Sequence, residues 1–370
     1  MYKSLFVVLA IFIPLTLATQ PAEVHSEEIK LIKAGDHFPD IPLQAPKKPD
    51  DRKYLGLGEG ETFTLKDIKA GIVLVEVMSV YCPSCQRQVK PYNKLLNLIE
   101  GNVKTKGRIK MIGIAAGNGD VEVEDFRTKY KVGFPIIPDP KYELHEAIGG
   151  SRTPFAIYVK QDPTGEAGVV TGTHLGTDKR YKKRFQKLAK LLTTEVASLR
   201  RESEQKKAVT IVVEPVLSDS ELRDKVKAAF STPDGTVTDF REIKLERAKK
   251  VYTALVTQET ISKRLFAKVT SRPPTCDVCH DIHFIYVFDA SGEVLAFEPI
   301  QLTKWGNKPW TDTDVAKMRG RVVGRNIFQD YGFNPKVDAV SSATITSGVV
   351  IDAVFKGKRI LAELKDKGIL

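Results

Sequence analysis

From about residue 35 the chain alternates continuous apolar runs with segments of helical period. GIVLVEVMSV (71–80) is rich in Val and lacks polar alternation, the pattern of a strand buried on both faces. CPSCQRQVKPYNKLLNLIE follows at once and sets Val89, Leu95, Leu96 and Ile99 on one side of a helix. IKMIGIAAG (109–117) predicts a second buried strand, VEVEDFRTKYKV (121–132) a second helix and PFAIYVK (154–160) a third strand. Such alternation predicts a parallel or mixed sheet covered by helices. In DKRYKKRFQKLAKLL (178–192), Phe185, Leu188, Ala189 and Leu192 recur at helical spacing, which predicts an amphipathic helix with a solvated basic face.

The texture changes after RRESEQKKAV (200–209), a polar break of the kind that separates domains. AVTIVVEPVL reads as a strand and SDSELRDKVKAAF (218–230) as a helix opened by a Ser218/Glu221 capping box. Residues 201–250 are either a linker or the start of a second domain. From 251 to 370 the pattern is rich in strands, with KVYTALVT and a hairpin turning at the Asp-Ala-Ser-Gly of FDASGEV. Trp305 and Trp310 are core anchors or a wall for a planar ligand. The chain closes on one helix, about 346–366, with Val350, Ile351, Val354, Phe355, Leu361 and Leu364 on its apolar side. The expected architecture is an α/β domain over 35–200 followed by an α+β domain over 251–370.

The first 26 residues read as a signal peptide: a short basic start, an apolar run from Ser4 to Ala18, then small and polar residues. The run is short for a membrane span, which needs about 20 apolar residues. An exported chain, periplasmic or otherwise extracytoplasmic, is expected, with an uncleaved N-terminal anchor as the alternative. A hydrophobic share of 42% is ample for two cores. The net charge of +11 raises nucleic acid as a partner, but export and the lack of aromatics among the basic residues exclude it.

The four cysteines form two C-x-x-C pairs, Cys82/Cys85 and Cys276/Cys279. Close pairs point to redox or cofactor chemistry rather than to scattered staples. Cys82 stands at a strand-to-helix junction, where amides and the helix dipole stabilise a thiolate, so it is the expected exposed nucleophile and Cys85 the resolving thiol. Glu76 is a lone acid in an apolar strand, costly there unless protonated or used.

VLVEVMSVYCPSC, the later GGSRTPFAIYV and the opening AGDHFPDIPL together resemble the thioredoxin fold, and more closely the exported redoxins of the cytochrome-maturation and alkyl-hydroperoxide-reductase superfamily. The resemblance implies a thioredoxin-like fold, with Cys82 attacking and Cys85 resolving. It implies a cis-proline at Pro154 whose flanking backbone holds a substrate chain, and a proton-relaying acid at Glu76. Tyr81 and Met78 replace aromatic residues of that group. Ser79 fits the peroxiredoxin pattern while Val75 stands in place of its Pro, which makes thiol peroxidase the alternative activity.

DAVSSATITS (338–347) carries hydroxyls just ahead of the last helix, where a helix N-terminus can bind phosphate; a plain capping loop is the other reading. Asp338, Ser341, Ala343 and Thr344 resemble the acceptor motif of the flavin-carrying domain of sodium-pumping NADH:quinone reductases and Rnf complexes, with Ser342 at its glycine position. The resemblance implies an FMN-binding domain with FMN esterified to Thr344 by a flavin transferase. CDVCHDIH leaves three options for Cys276, Cys279, His280 and His283: a disulfide, attachment of c-type haem with His280 as ligand, or zinc, in that order.

The expected function is an exported thiol-disulfide oxidoreductase exchanging electrons between the Cys82/Cys85 dithiol and FMN, with Cys276/Cys279 as a relay. Its expected partners are protein thiols or disulfides, or a peroxide, and a membrane electron donor. The rival is a flavin or haem electron carrier or scaffold with a thioredoxin-like docking module.

Overall fold

The computed structural model describes residues 27–162, 168–196, 198, 208–329 and 331–370. The expected signal segment and most of the polar break at 200–209 lie outside the described residues. The first sheet is built of β1 (Ile72–Met78), β2 (Ile109–Ala116), β3 (Ile136–Asp139), β4 (Phe155–Lys160) and β5 (Val169–Leu175), in the order β3-β2-β1-β4-β5. β1 pairs with β2 in parallel and with β4 antiparallel, so the sheet is mixed, as the alternation predicts. Every position of β1 and β2 is buried, which explains their unbroken apolar pattern. Helices α1 (Pro83–Glu100), α2 (Asp120–Tyr130) and α3 (Tyr181–Thr193) complete this half. The α3 sequence is not solvated all along its basic face. Arg184 is buried, hydrogen-bonded to the Tyr92 hydroxyl and 3.1 Å from Asp178.

The second sheet is an antiparallel meander in chain order: β6 (Gly235–Lys244), β7 (Lys250–Gln258), β8 (Ile261–Arg272), β9 (Ile282–Asp289) and β10 (Val294–Gln301). Helix α4 (Asp219–Ala229) packs on this sheet through Val226 and carries the expected capping box. The stretch left open at 201–250 therefore contributes α4 and β6 to the second domain. In the β9–β10 hairpin, Asp289 Oδ1 accepts from the Ser291 and Glu293 amides, while Gly292 supplies a φ of 87°.

Helix α5 (Asp312–Val322) precedes the C-terminal helices. The single final helix expected is two, α6 (Thr344–Phe355) and α7 (Gly357–Asp366). They part at Gly357, where a Cβ would lie 3.2 Å from the Tyr286 hydroxyl. No helix among the described residues is long and apolar enough to cross a membrane.

The two halves are joined. Glu27–Lys30, ahead of the first domain, pairs antiparallel with Thr210–Val213, and one buried apolar cluster includes Val75, Ile157, Phe284, Phe297 and Val350. Glu146 of the first half accepts from Lys356 of the second at 2.6 Å.

Candidate functional site

The end of β1 delivers the first cysteine pair. Pro83 occupies the start of α1, where its missing N–H costs nothing, and Cys82 is the residue that caps the helix. Cys85 lies one turn in and is buried. The Thr153–Pro154 peptide is cis, as the resemblance implies, and leads into β4. Thr153 O lies 3.5 Å from Cys82 Sγ.

The structure departs from expectation at Cys82. That thiol is 0% exposed, because a segment of the second domain covers it. Thr153 forms a parallel bridge with Cys276, its amide donating to Thr275 O at 2.7 Å and its hydroxyl to the same oxygen at 2.5 Å. Cys82, Cys276 and Asp277 present ligand atoms within 4.8 Å of one another. Neither histidine of the zinc option belongs to this group. His280 is exposed, and buried His283 has Nδ1 3.0 Å from Ser271 Oγ.

The segment is clamped on both sides. Arg152 donates to Cys279 O at 3.2 Å and to Asp281 at 2.6 Å. Asn307 accepts from the His280 amide at 3.0 Å and donates to Val278 O at 3.2 Å. Arg152, Thr153, Thr275, Asp277 and Asn307 are site residues that carry no sequence motif. Only their placement across more than a hundred residues of chain makes them visible. Arg152→Ala is expected to loosen the clamp by about 1–3 kcal/mol, the usual cost of a lost charge-assisted hydrogen bond. Alkylation of Cys82 should then speed up by about tenfold, in a rate measured by peptide mass. An unchanged rate would show that Arg152 does not hold the cover closed.

The thiols alternate in character. Hydrogen bonding by Cys276, then by Cys85, holds Cys82 far below the ordinary thiol range. Burial, then the bond to Cys82, holds Cys85 well above it. Cys276 is also raised, by its bonds with Cys279 and Cys82, while Cys279 is lowered by Cys276. Cys82 and Cys279 are thus drawn toward the thiolate, and Cys85 and Cys276 toward the thiol.

Glu76 is buried in β1 and accepts from the Tyr92 hydroxyl at 2.6 Å, with no hydrogen bond to either sulfur among the described residues. Burial pushes its carboxyl up to about 7, against the pull of Arg184. A raised folded-state value means that the native chain holds a proton which the unfolded chain releases. Stability from this group is therefore full below about 4.5 and declines as pH rises to about 7. The difference amounts to about 3 kcal/mol. Glu76→Gln is expected to flatten this decline and to raise stability at pH 8, measured by urea unfolding at pH 5 and pH 8. Equal losses at both pH values would show that the carboxyl is not protonated in the native state.

A cleft of about 260 Å³ opens beside the second cysteine pair. Cys276, Cys279 and Tyr81, the neighbour of Cys82, form one side; Trp305, Ser342, Ala343 and Thr344 are also in its wall. Trp305 is 58% exposed, whereas Trp310 is packed on the core and donates to Thr303 O, the core use considered for it. Thr344 is the first residue of α6, and the first intrahelical bond runs from the Ser347 amide to Ala343 O. The amides of Thr344, Ile345 and Thr346 are free of intrahelical partners, as at any helix start. Thr346 and Ser347 spend their hydroxyls internally, on Thr303 O and the Val340 amide. The Thr344 hydroxyl has no protein hydrogen bond among the described residues, and Ser341 is exposed outside the cleft.

Asp338 is buried. It accepts from Tyr331 at 3.0 Å and from the Asn334 amide at 2.7 Å, and so shapes the loop rather than facing solvent. Ser342 has φ 59°, a left-handed conformation that accounts physically for glycine at the equivalent position of the motif.

Residues 34–172 match the AhpC/TSA family model. Similar relatives include the thiol-disulfide oxidoreductase ResA of Halalkalibacterium halodurans, 27% identical over 118 residues, 32% of this chain and 61% of that protein. ResA of Bacillus subtilis is 26% identical over 115 residues, 31% of this chain and 60% of the relative. The chain thus spans about six tenths of the length of these relatives. Among solved structures, StoA from Bacillus subtilis aligns with a TM-score of 0.28 at 18% identity, over 46% of this chain and 98% of that one. Residues 34–172 are a thioredoxin-like AhpC/TSA redoxin domain, the fold expected for this half.

Proposed function

We propose that the protein is an extracytoplasmic thiol-disulfide oxidoreductase whose Cys82/Cys85 dithiol exchanges electrons with an FMN esterified to Thr344. One observation carries the reading: Thr344, both cysteines of the second pair and Tyr81 line the same cleft. The residues present fit such a group. The free amides at the start of α6 suit a phosphate, Thr344 offers an unengaged hydroxyl, and Trp305 offers an exposed face for a planar ring. When bound, a flavin would supply one-electron steps that a dithiol, a two-electron couple, lacks.

The chain's own residues do the rest. The α1 start and neighbouring thiols keep Cys82 as the nucleophile, and Cys85 waits protonated to resolve the mixed disulfide.

The test is to co-express the chain with a flavin transferase, confirm loading by mass, and add dithiothreitol without oxygen. The flavin band should bleach at least tenfold faster in the wild type than in the variant with all four cysteines changed to serine. Equal rates would remove the dithiols from the electron route.

A further inference from the structure

We infer that the covalent exchange partner of Cys82 is the chain's own Cys276, and that the Thr275–Cys279 segment is an internal substrate seated in the thiol site. The inference rests on the reading of Cys82/Cys85 as a redox dithiol and goes beyond it by naming what that dithiol reacts with.

Three independent features place the segment there. Its backbone is bonded to the residue that precedes Pro154, with both the amide and the hydroxyl of Thr153 donating to Thr275 O. Its first cysteine, only 1% exposed, directs Sγ to within 4.8 Å of Cys82 Sγ. Its far end is held by Arg152 and Asn307, while Cys279 faces the cleft that contains Thr344. A sulfur–sulfur bond is about 2.05 Å long, so side-chain rotation with a small shift of the segment would bring the two sulfurs together. An adventitious contact would require none of these clamps.

The exchange balances within the chain. With the second pair as a disulfide, the Cys82 thiolate attacks Cys276 Sγ. The Cys82–Cys276 bond forms, the Cys276–Cys279 bond breaks, and Cys279 leaves as a thiolate with the electron pair. Cys85 then gives up its proton and attacks Cys82 Sγ. The Cys82–Cys85 bond forms, the Cys82–Cys276 bond breaks, and Cys276 leaves and takes up one proton. The first pair is oxidised and the second reduced by two electrons. Net, one proton passes from Cys85 to Cys276 and the negative charge moves from Cys82 to Cys279. The same bonds run the exchange in reverse.

The decisive experiment uses the full chain carrying Cys85→Ser and Cys279→Ser, which leaves one thiol of each pair and nothing to resolve a mixed disulfide. After treatment with a chelator, the protein is given a limiting amount of oxidised glutathione at about 10 µM chain. An intramolecular Cys82–Cys276 link is expected, seen as a mass loss of two hydrogens and as one cross-linked peptide pair. The link should form about 100-fold faster than any link between chains, because tethered groups meet at effective concentrations of about millimolar. The complementary chain with Cys82→Ser and Cys276→Ser should not link. Stable glutathione adducts on Cys82 and Cys276 without a link, or links only between chains, would overturn the inference.

Two controls keep the readings apart. A chain with Cys276→Ser and Cys279→Ser should still form and lose a Cys82–Cys85 disulfide. If it does while the cross-link fails, only the internal-substrate inference is lost; if it does not, the parent reading fails. Partial oxidation of the wild type, followed by disulfide mapping, gives the same answer without any serine in the core.

Discussion

Cys82→Ser is expected to lower disulfide exchange by at least about 1,000-fold in a chain that already lacks the second pair, because a neutral hydroxyl replaces a thiolate nucleophile. The background matters: Cys279 is partly exposed and its thiol is lowered by Cys276, so it could exchange on its own and mask the loss. Cys85→Ser should behave differently. It leaves the attacking sulfur intact, so the first half-reaction survives and the chain stops as a mixed disulfide at Cys82. The pH profile separates the two thiols further. A free thiol near 8.5 gains thiolate about tenfold per pH unit between 5 and 8. In a chain that keeps Cys276, whose hydrogen bond does most to hold Cys82 far below that range, Cys82 should react at a nearly constant rate over the same interval. The measurement is glutathione adduct formation by mass over this pH range. A tenfold rise per unit at Cys82, or equal behaviour of Cys82 and Cys85, would remove Cys82 from its role.

That assignment was legible because its determinants are local. A Val-rich run with no polar gaps reads as a buried strand, and Pro83 just after Cys82 marks a helix start; β1 and α1 follow within two residues of the expected bounds. The cover over Cys82 was not legible. Asp277 lies 195 residues from Cys82 along the chain, and no pattern in CDVCHDIH states which surface the segment will meet. The same limit applies to Arg184, whose burial depends on Asp178, Tyr92 and Glu76 rather than on the helical period of its own segment.

Two misses were of another kind. β6 is not marked by the sequence because it is an edge strand with no buried position and an irregular register between Thr238 and Arg241. Its sequence, GTVTDFREIK, carries too little apolar alternation to stand out. The two C-terminal helices were read as one because their apolar spacing runs on across Lys356. The break falls at Gly357, where a Cβ would lie 3.2 Å from the Tyr286 hydroxyl, a contact that the spacing does not reveal. In the motif at 338–347 the sequence identifies the residue types and the structure separates them. Thr346, Ser347 and Asp338 are engaged in holding the loop, and Thr344 and Ser342 line the cleft with hydroxyls that have no protein hydrogen bond among the described residues.

On the proposed reading, Thr344→Val therefore abolishes covalent flavin while the fold survives. Valine nearly matches threonine in shape and keeps the helix start, but it has no oxygen to form a phosphoester. The lost hydroxyl has no protein hydrogen bond among the described residues, so its removal should cost well under about 1 kcal/mol of stability. Asp338→Ala should separate the two effects from the other side. Its carboxylate organises Tyr331 and the Asn334 amide, so the variant should lose about 1–3 kcal/mol with these two charge-assisted hydrogen bonds, and modification should fall with the loop's order. The experiment co-expresses each chain with a flavin transferase, denatures it, and reads both flavin fluorescence on the gel band and intact mass. The wild type should gain one FMN less water, Thr344→Val none, and Asp338→Ala a reduced fraction. FMN held without a bond at the α6 amides would be released on denaturation and would not count. If the wild type stays unmodified beside an active transferase, or if Thr344→Val is modified as fully as the wild type, Thr344 is not the anchor.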